Sequence, residues 1–358
     1  MAGASAGAGC AVRHRAAPCP PGSLHVTIAR SFWITAPGRA EIRAAALPPR
    51  AASQALVRAV ASGISRGTER LVFQGQVPES QWGAMRAPLQ AGDFPFPIAY
   101  GYAAVGVAEE APSELQGRRV FCLHPHADRF LAPATMCIPV PDAVPDHRAV
   151  LAANMETALN IAWDAGTLPG ERILVVGAGV VGLLSAWLLA RIPGTEVTVV
   201  DTDPARRAVA EALGARFAAP EQSPGGQELI IHASANPEGL RHALRHAAFE
   251  ARILEASWYG DKPVTLPLGE EFHAKRLTLR ATQVGAVSPP LRGRRSHAER
   301  LALALRLLGD PALDALCGPH VPFDELPARM ASLLGPPPAG EAAPLCPIVT
   351  YEDKRCSA

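Results

Sequence analysis

The hydrophobic pattern is clearest in the middle of the chain. Residues 172–176 include a continuous apolar run, which is typical of a parallel strand buried on both faces. A longer apolar stretch, residues 180–192, has the length of a helix and is ended by Pro193 and Gly194. A second β-branched run covers residues 197–200. The pattern therefore predicts a strand, a helix and a second strand in succession.

The turn between the first strand and the helix has the spacing G-x-G-x-x-G. The first glycine permits a tight turn, the second lets a pyrophosphate approach the backbone, and the third lets the helix pack closely on the sheet. The helix N-terminus offers unpaired N–H groups to phosphates. Glycine-rich turns without a nucleotide also exist, so the flanking strands and helix support the prediction. The predicted cofactor contacts here are Gly177, Gly179, Val180, Val181 and Gly182.

An acidic residue ends the second strand. Asp201 lies 24 residues after Gly177 (201 − 177 = 24), near the separation expected for a carboxylate that binds the adenosine ribose hydroxyls. This carboxylate favours NAD, because it would repel a 2′-phosphate. Arg206 and Arg207 follow closely and leave NADP possible.

Strands and helices continue to alternate beyond this unit. Strands are predicted over residues 228–232, 251–256 and 276–281, and helices from Asp203 and over residues 237–247. The alternation implies a parallel sheet, whose ligands bind at its carboxyl edge. The residues after these strands that should border the cofactor are Ser234, Val284 and Gly285.

The first third of the chain reads differently. Residues 29–47 predict two strands around a Pro37-Gly38 turn, and residues 54–62 predict a third strand. SGISRGTERLVFQG, residues 62–75, resembles the first active-site loop of the medium-chain dehydrogenase/reductases, the alcohol-dehydrogenase-like superfamily. Residues 96–110, 117–122 and 154–163 resemble later motifs of that family in the same order.

The resemblance covers roughly residues 29–351 and implies an α/β fold. A Rossmann domain with a doubly wound parallel sheet would accompany a mainly β, GroES-like catalytic domain. The expected divisions are a disordered leader, the first part of the catalytic domain, the Rossmann domain, and a return to the catalytic domain. Their ranges are 1–23, 24–153, 154–285 and 286–358. A transit peptide is the alternative for the leader.

Composition changes this picture little. The chain has 358 residues, enough for two domains, and 48% hydrophobic against 19% charged residues excludes a disordered chain. A net charge of +1 gives no reason to expect nucleic acid, and no apolar run approaches the roughly 20 residues of a membrane span. Seven cysteines without a C-x-x-C pair suit a reducing cytoplasm. We expect a cytoplasmic protein without nucleic-acid or membrane partners.

The departures from the family concern zinc. Zinc-binding members carry a cysteine in the first loop, where the stretch Ser65-Arg66-Gly67-Thr68-Glu69 of this chain has none, and a histidine in G-H-E, where this chain has Gly101-Tyr102-Ala103. The resemblance puts Glu156 at the usual third ligand position, but one carboxylate does not hold zinc. The four-cysteine zinc lobe is absent too, because only Cys122 is found between residues 120 and 130. The sequence therefore predicts an enzyme of this fold without zinc.

One alternative metal site remains open. Cys122, His124, His126 and Asp128 alternate, so on an extended strand they would share one face, and their ligand types suit zinc. Pro125 interrupts the run, and neighbours two residues apart seldom close a tetrahedron. The competing interpretation is a loop whose histidines form local hydrogen bonds.

Hydride transfer to or from a carbonyl needs a group that stabilises the oxygen and exchanges its proton. Without zinc, a protein side chain must do so. Tyr102 could instead be packed as core, and Glu69 and Glu156 could form ion pairs with Arg66 or a neighbour. The candidate catalytic residues are Ser65, Thr68, Tyr102, His126 and Glu156.

The segment 288–300 is basic, and we interpret it as a solvated helix entry or, alternatively, a site for an anionic substrate. The loop sequence SGISRGTE resembles the branch that includes bacteriochlorophyllide hydroxyethyl dehydrogenases. That resemblance implies interconversion of a secondary alcohol and a ketone with NAD or NADP, in a homodimer. An NADPH-dependent enoyl or quinone reductase and a non-catalytic nucleotide-binding protein are the alternatives.

Overall fold

The structure is a computed structural model that describes residues 26–338 and 341–352. The leader predicted over residues 1–23 lies outside these residues. The strands are β1 Ile28–Ala36, β2 Arg39–Ala46, β3 Gln54–Gly63, β4 Ala91–Gly92, β5 Ile98–Ala99, β6 Ala104–Glu110, β7 Arg119–Cys122, β8 Arg129–Pro133, β9 Ile138–Pro139, β10 Arg172–Val176, β11 Glu196–Val200, β12 Arg216–Ala218, β13 Gln227–His232, β14 Ala247–Glu255, β15 Thr278–Ala281, β16 Cys317–Pro322 and β17 Cys346–Thr350. The α-helices are α1 Arg66–Phe73, α2 Asp146–Ala149, α3 Ala152–Ala165, α4 Val180–Leu189, α5 Arg206–Ala212, α6 Pro237–His246, α7 His297–Leu307 and α8 Leu326–Leu334.

The second half of the chain forms a six-stranded parallel sheet in the order β12-β11-β10-β13-β14-β15. Ile173 and Val175 of β10 join a core with α3, α4 and α7, whereas Leu174 and Val176 join another with α6. Successive residues of β10 thus face helices on opposite sides of the sheet. This confirms the predicted doubly wound sheet, and it explains why the central strand is apolar throughout.

The remaining strands form two mainly antiparallel sheets. One has the order β2-β1-β5-β4, and the other has β16-β17-β3-β6-β7-β9, with β8 also paired to β3. Strand β17, close to the end of the described chain, lies antiparallel to β3. The mainly β region is therefore completed by strands from both ends of the chain.

Two predicted helix boundaries differ from the structure by three residues each. The helix expected from Asp203 begins at Arg206, because carboxylates hold the preceding residues in a turn. Asp201 accepts the Asp203 N–H at 2.9 Å, and Asp203 accepts the Ala205 N–H at 3.0 Å. The helix predicted over residues 180–192 ends at Leu189. Within the described residues, no helix is long and apolar enough to span a membrane.

Candidate active site

A cavity of about 1440 Å³ lies between the parallel sheet and the mainly β region. On one side it is lined by residues that follow β10, β11, β13, β14 and β15, which is the carboxyl edge of the sheet. On the other side it is lined by the loop before α1, by Tyr102 and by α3. All predicted site residues line the cavity except His126 and Gly182, which are buried behind it. Those that line it are Ser65, Thr68, Tyr102, Glu156, Gly177, Gly179, Val180, Val181, Asp201, Arg206, Ser234, Val284 and Gly285.

The three glycines of the turn have different surroundings. Gly177 has a φ of +109°, and a Cβ there would lie 2.9 Å from the Ser234 backbone. A Cβ on Gly182 would lie 2.0 Å from the carbonyl oxygen of Gly177. A Cβ on Gly179 would meet nothing within 4 Å, because this residue faces the open cavity. Two glycines are thus required by the fold, and the third leaves space that a ligand could use.

The Asp201 carboxylate is fixed by the backbone. Its Oδ2 accepts the Ala178 N–H at 2.6 Å, and its Oδ1 accepts the Asp203 N–H at 2.9 Å. The side chain therefore joins the end of β11 to the glycine turn. Each carboxylate oxygen keeps a further lone pair that could accept a hydrogen bond from a ligand.

The two arginines after β11 are engaged within the protein. Arg206 is buried, its Nε lies 3.3 Å from an Asp203 oxygen, and it donates to the Ala343 carbonyl. The Arg207 guanidinium lies over the Phe217 ring, 4.8 Å from its centroid, and 3.5 Å from Glu211. Both cations already have partners inside the protein.

A third arginine, which belongs to the mainly β region, binds the backbone at Leu333 and Gly335, not far along the chain from Ala343. Arg66 begins α1 and donates to the carbonyls of Leu333 and Gly335 at 2.8 and 3.0 Å. Burial, followed by the positive charges of Arg70 and Arg206, lowers its pKa. Arg66 thus holds Gly335 and Arg206 holds Ala343; we call the part of the chain from residue 335 to residue 345 the connecting segment.

Three hydroxyl groups meet on the cavity side that faces the glycine turn. Ser65, Thr68 and Tyr102, which we call the hydroxyl cluster, all line the cavity. Burial raises the pKa of Tyr102 to about 12, and hydrogen bonding with Ser65 and Thr68 opposes that rise. The phenol therefore keeps its proton at neutral pH and can donate a hydrogen bond.

A buried network supports this cluster from behind. Glu69 accepts the Ser65 N–H at 2.8 Å and binds Nε2 of His126 at 3.0 Å. Nδ1 of His126 lies 2.7 Å from the Ser62 hydroxyl, which lies 2.7 Å from the Tyr351 hydroxyl. The predicted site residue His126 is fully buried and outside the cavity, since both its nitrogens have protein partners. Glu69 pairs with this histidine and not with Arg66.

Glu156 lies beside a buried arginine. Its Oε1 accepts from Nε of Arg300 at 3.0 Å, and Arg300 also donates to Asn160 and to the Val284 carbonyl, each at 2.6 Å. Burial raises the pKa of Glu156, and the Arg300 charge opposes this. The ion pair that we considered for Glu156 is therefore present, and its partner also holds the loop after β15.

The four residues of the alternative metal site separate. Cys122 is buried next to Cys137, and Asp128 binds Arg30 at 2.8 Å. His124 stacks on Phe130, with ring centroids 3.8 Å apart, and burial lowers its pKa to about 4. Within the described residues, no three His, Cys, Asp or Glu side chains are grouped to hold a metal ion.

Three residues of the cavity region escaped the sequence analysis. Arg300 belongs to the basic segment, most of which is exposed as expected for a solvated helix entry, but it turns into the core. His232 and Glu255 end the neighbouring strands β13 and β14 and are directly paired in register. Polar residues at the ends of two predicted neighbouring strands were the signal that could have identified this pair.

Three comparisons place the chain among known proteins. A family model described as "Alanine dehydrogenase/PNT, C-terminal domain" matches residues 152–253. An L-threonine 3-dehydrogenase from Rhizobium rhizogenes is 34% identical over 82 residues, which is 23% of this chain and 24% of that protein. The chain thus spans about a quarter of the length of this curated relative.

Solved structures match over a much larger part of the chain. A short chain alcohol dehydrogenase from Escherichia coli CFT073, complexed with cofactor NADH, superposes with a TM-score of 0.71 at 19% identity, covering 90% of this chain and 99% of that one. The 2R,3R-butanediol dehydrogenase of Bacillus subtilis gives 0.70 at 15% identity, covering 90% and 100%. At these identities the likeness establishes a shared two-domain fold.

Proposed function

We propose that this chain is a zinc-independent NAD(P)-dependent oxidoreductase that interconverts a secondary alcohol and a ketone by hydride transfer. The observation that carries the proposal is that the hydroxyl cluster and the glycine turn both line one cavity. A dinucleotide on the turn and a carbonyl oxygen on the cluster would then share an enclosed space. The dehydrogenase names of the relatives are consistent with this chemistry.

The glycine turn fits a dinucleotide. The open side of Gly179 and the N-terminus of α4 offer space and N–H groups to a pyrophosphate. Val284 and Gly285, at the end of the sheet that the hydroxyl cluster faces, would border the nicotinamide. The cofactor would supply the hydride acceptor or donor, and the chain would hold it against the substrate.

NAD is the expected form of the cofactor. Asp201 presents a carboxylate to the cavity, where a 2′-phosphate would be repelled. Arg206 and Arg207, the nearest cations in the sequence, have protein partners that a phosphate would have to displace. We therefore expect tighter binding of NADH than of NADPH.

The residues at the family's zinc positions do not fit zinc. Ser65 and Tyr102 offer neutral hydroxyls in place of a thiolate and an imidazole, and Glu156 is bound to Arg300. A phenol whose pKa is about 12 is instead suited to donate a hydrogen bond to a developing alkoxide. We therefore assign Tyr102 to stabilising the substrate oxygen, assisted by Ser65 and Thr68.

The test uses the purified chain with a panel of secondary alcohols and ketones, metal analysis, and calorimetry with NADH and NADPH. We expect turnover of at least one alcohol with NAD, without stoichiometric zinc. Tyr102→Phe should lower kcat about 100-fold, because one oxyanion donor is lost, with NADH affinity unchanged. Tyr100→Phe is the matched control, since its hydroxyl donates to the Met85 carbonyl at 3.5 Å. Zinc-dependent turnover, or NADH binding without any turnover, would contradict the proposal.

A further inference from the structure

Two cysteines face each other across neighbouring strands of the mainly β region. Strands β7 and β9 are antiparallel, and Phe121 lies opposite Ile138. The next step of this register places Cys122, the last residue of β7, opposite Cys137, the extended residue before β9. Both cysteines are buried in the same core cluster, so their side chains lie on the same side of the two strands.

The backbone hydrogen bonds indicate how close the two cysteines are. The Val140 N–H donates to the Arg119 carbonyl at 3.0 Å, so these residues form a hydrogen-bonded pair of the ladder. Pairs alternate along an antiparallel ladder, and three steps farther on, Cys122 and Cys137 occupy a non-hydrogen-bonded position. Opposite Cα atoms at such a position are about 4.5 Å apart, which is within the range of about 4.4–6.8 Å found for disulfides.

Cys137 is the thiol that an oxidant would attack first. A hydrogen bond between the two thiols lowers the pKa of Cys137 and raises that of Cys122. The thiolate is the form that reacts with oxidants. Cys137 is buried, but β9 has two residues and lies at the edge of its sheet. Local opening of so short an edge strand would expose the thiol to a small oxidant.

A second pair of cysteines has the register but not the thiol contact. Cys317 of β16 and Cys346 of β17 also lie opposite each other. The Cys317 thiol donates to the His147 carbonyl at 3.2 Å, and the Cys346 thiol donates to the Pro347 carbonyl at 3.9 Å. These two thiols are directed to carbonyl oxygens, whereas the thiols of the first pair hydrogen bond to each other.

We propose that Cys122 and Cys137 form a reversible redox site, in which hydrogen peroxide oxidises the two thiols to a disulfide that ties β9 to β7. The Cys137 thiolate attacks one peroxide oxygen, the O–O bond breaks, and a sulfenic acid forms. The Cys122 sulfur then attacks the sulfenic sulfur, whose oxygen leaves. The two sulfurs give up two electrons to the peroxide, and its oxygens leave as two water molecules with the thiol protons. A dithiol reductant reverses the oxidation.

The disulfide would fix part of the cavity wall. Leu123 follows one cysteine, Met136 and Ile138 flank the other, and all three line the cavity. Leu123 and Ile138 pack against a different core cluster from the cysteines, which therefore lie behind this wall. Two residue pairs join β9 to β7, so a covalent link would strengthen a weakly paired edge. We expect this wall to open less often in the oxidised chain.

The test treats the folded, fully reduced chain with hydrogen peroxide, blocks the remaining thiols and maps the tryptic peptides by mass spectrometry. Trypsin leaves the two cysteines on separate peptides, residues 120–129 and 130–148, which contain one cysteine each. We expect these peptides to be joined, with the loss of two blockable thiols and the recovery of both after treatment with dithiothreitol. The second cysteine pair is the internal control, and its peptides should not be joined.

Variants separate this site from a general sensitivity to oxidation. Cys122→Ser and Cys137→Ser should lose the joined peptides, whereas the matched control Cys317→Ser should keep them. Hydrogen exchange measures the consequence for the cavity wall. Amides of residues 134–139 should exchange at least about tenfold more slowly in the oxidised than in the reduced wild type. Peroxide should not slow their exchange in Cys122→Ser.

Several results would overturn the inference. If the folded chain gives no joined peptides, or if the peptides join only in urea, the redox site is wrong. If they join while exchange at residues 134–139 stays unchanged, the disulfide does not fix the wall. The proposed function stands in each case, because no readout requires an alcohol, a ketone or a nucleotide. Should a serine variant not fold, the wild-type peptide map and exchange rates decide by the same criteria.

Discussion

The two regions that line the cavity contribute different groups to it: one contributes mainly backbone and the other mainly side chains. On the sheet side, the glycine turn presents backbone, and a Cβ on Gly177 or Gly182 would lie 2.0 to 2.9 Å from a backbone atom. On the opposite side, the hydroxyl cluster presents side chains, and behind it Glu69 and Glu156 are paired with His126 and Arg300. The glycine turn is constrained by the close approach of backbone atoms, and the hydroxyl cluster by its proton donors and the buried charges near it.

This difference explains why the glycine turn matches the motif of the superfamily that the sequence resembles, whereas the hydroxyl cluster departs from that superfamily's motifs. A backbone that must pass within contact distance of a neighbour admits only glycine, whatever ligand binds. The opposite side has no such constraint, so a thiolate or imidazole position can carry a hydroxyl group if the chemistry changes. In the function that we propose, the hydroxyl groups of Ser65 and Tyr102 therefore bear on the mechanism and not on the fold.

The largest expected effect tests the backbone side. Gly182→Val would place a side chain against the Gly177 carbonyl, and we expect it to lower the free energy of unfolding by about 4 kcal/mol or more and to abolish NADH binding. Gly179→Ala is the control, because its Cβ meets no protein atom. It should lower the free energy of unfolding by only about 0.5 kcal/mol. It should nevertheless weaken NADH binding at least about tenfold. Urea unfolding measures the stability of each variant, and calorimetry measures its affinity for NADH. If the two variants lost the same stability and the same affinity, the two glycines would not have the different roles described here.

The next effect tests the buried charges on the other side. Arg300→Met leaves the Glu156 carboxylate buried without its partner, and we expect a loss of about 3 kcal/mol in unfolding free energy. The double variant Glu156→Gln with Arg300→Met should recover part of that loss. Arg216→Met, which breaks an exposed pair with Glu196, should cost less than about 1 kcal/mol. If Arg300→Met were as mild as Arg216→Met in urea unfolding, the ion pair would be structurally unimportant.

The smallest effect is a pH dependence. Burial raises the pKa of Glu156 in the folded state, so the folded chain binds this proton more tightly than the unfolded chain. Its contribution to stability is present below the ordinary carboxyl pKa and is lost as pH rises through the folded pKa. The slope from one group cannot exceed about 1.4 kcal/mol per pH unit. Urea unfolding between these two pKa values should show the free energy of unfolding decline with rising pH in the wild type and not in Glu156→Gln. If the two proteins gave parallel profiles, Glu156 would not be the group responsible for the pH dependence.

The sheet and its glycine turn were open to prediction because their signals are local. An apolar run such as residues 172–176 reports burial on both faces, and the glycine spacing reports the turn that follows. Helix ends were less certain, since the turn held by Asp201 and Asp203 delays α5 until Arg206. That delay depends on side-chain hydrogen bonds which periodicity does not express.

The candidate site was predicted only in part, because its pairs form through space. Glu156 and Arg300 are 144 residues apart, and nothing near either residue indicates the other. His126 shows the opposite case: the sequence analysis named it as a candidate catalytic residue, whereas Ser62 and Glu69 hold it in the core. His232 and Glu255 required the strand order and register before their proximity was visible.

The connecting segment has a mechanical consequence. Arg66 belongs to the mainly β region and holds Gly335, while Arg206 belongs to the parallel-sheet region and holds Ala343. The two anchors are eight Cα-to-Cα steps apart in the chain (343 − 335 = 8), so the segment between them can span no more than about 28 Å even when fully extended. Any hinge motion that carries the anchors beyond that reach must first release one arginine. In the function that we propose, a hinge opening that admits or releases the dinucleotide must therefore keep the two anchors within this distance as long as both arginines hold.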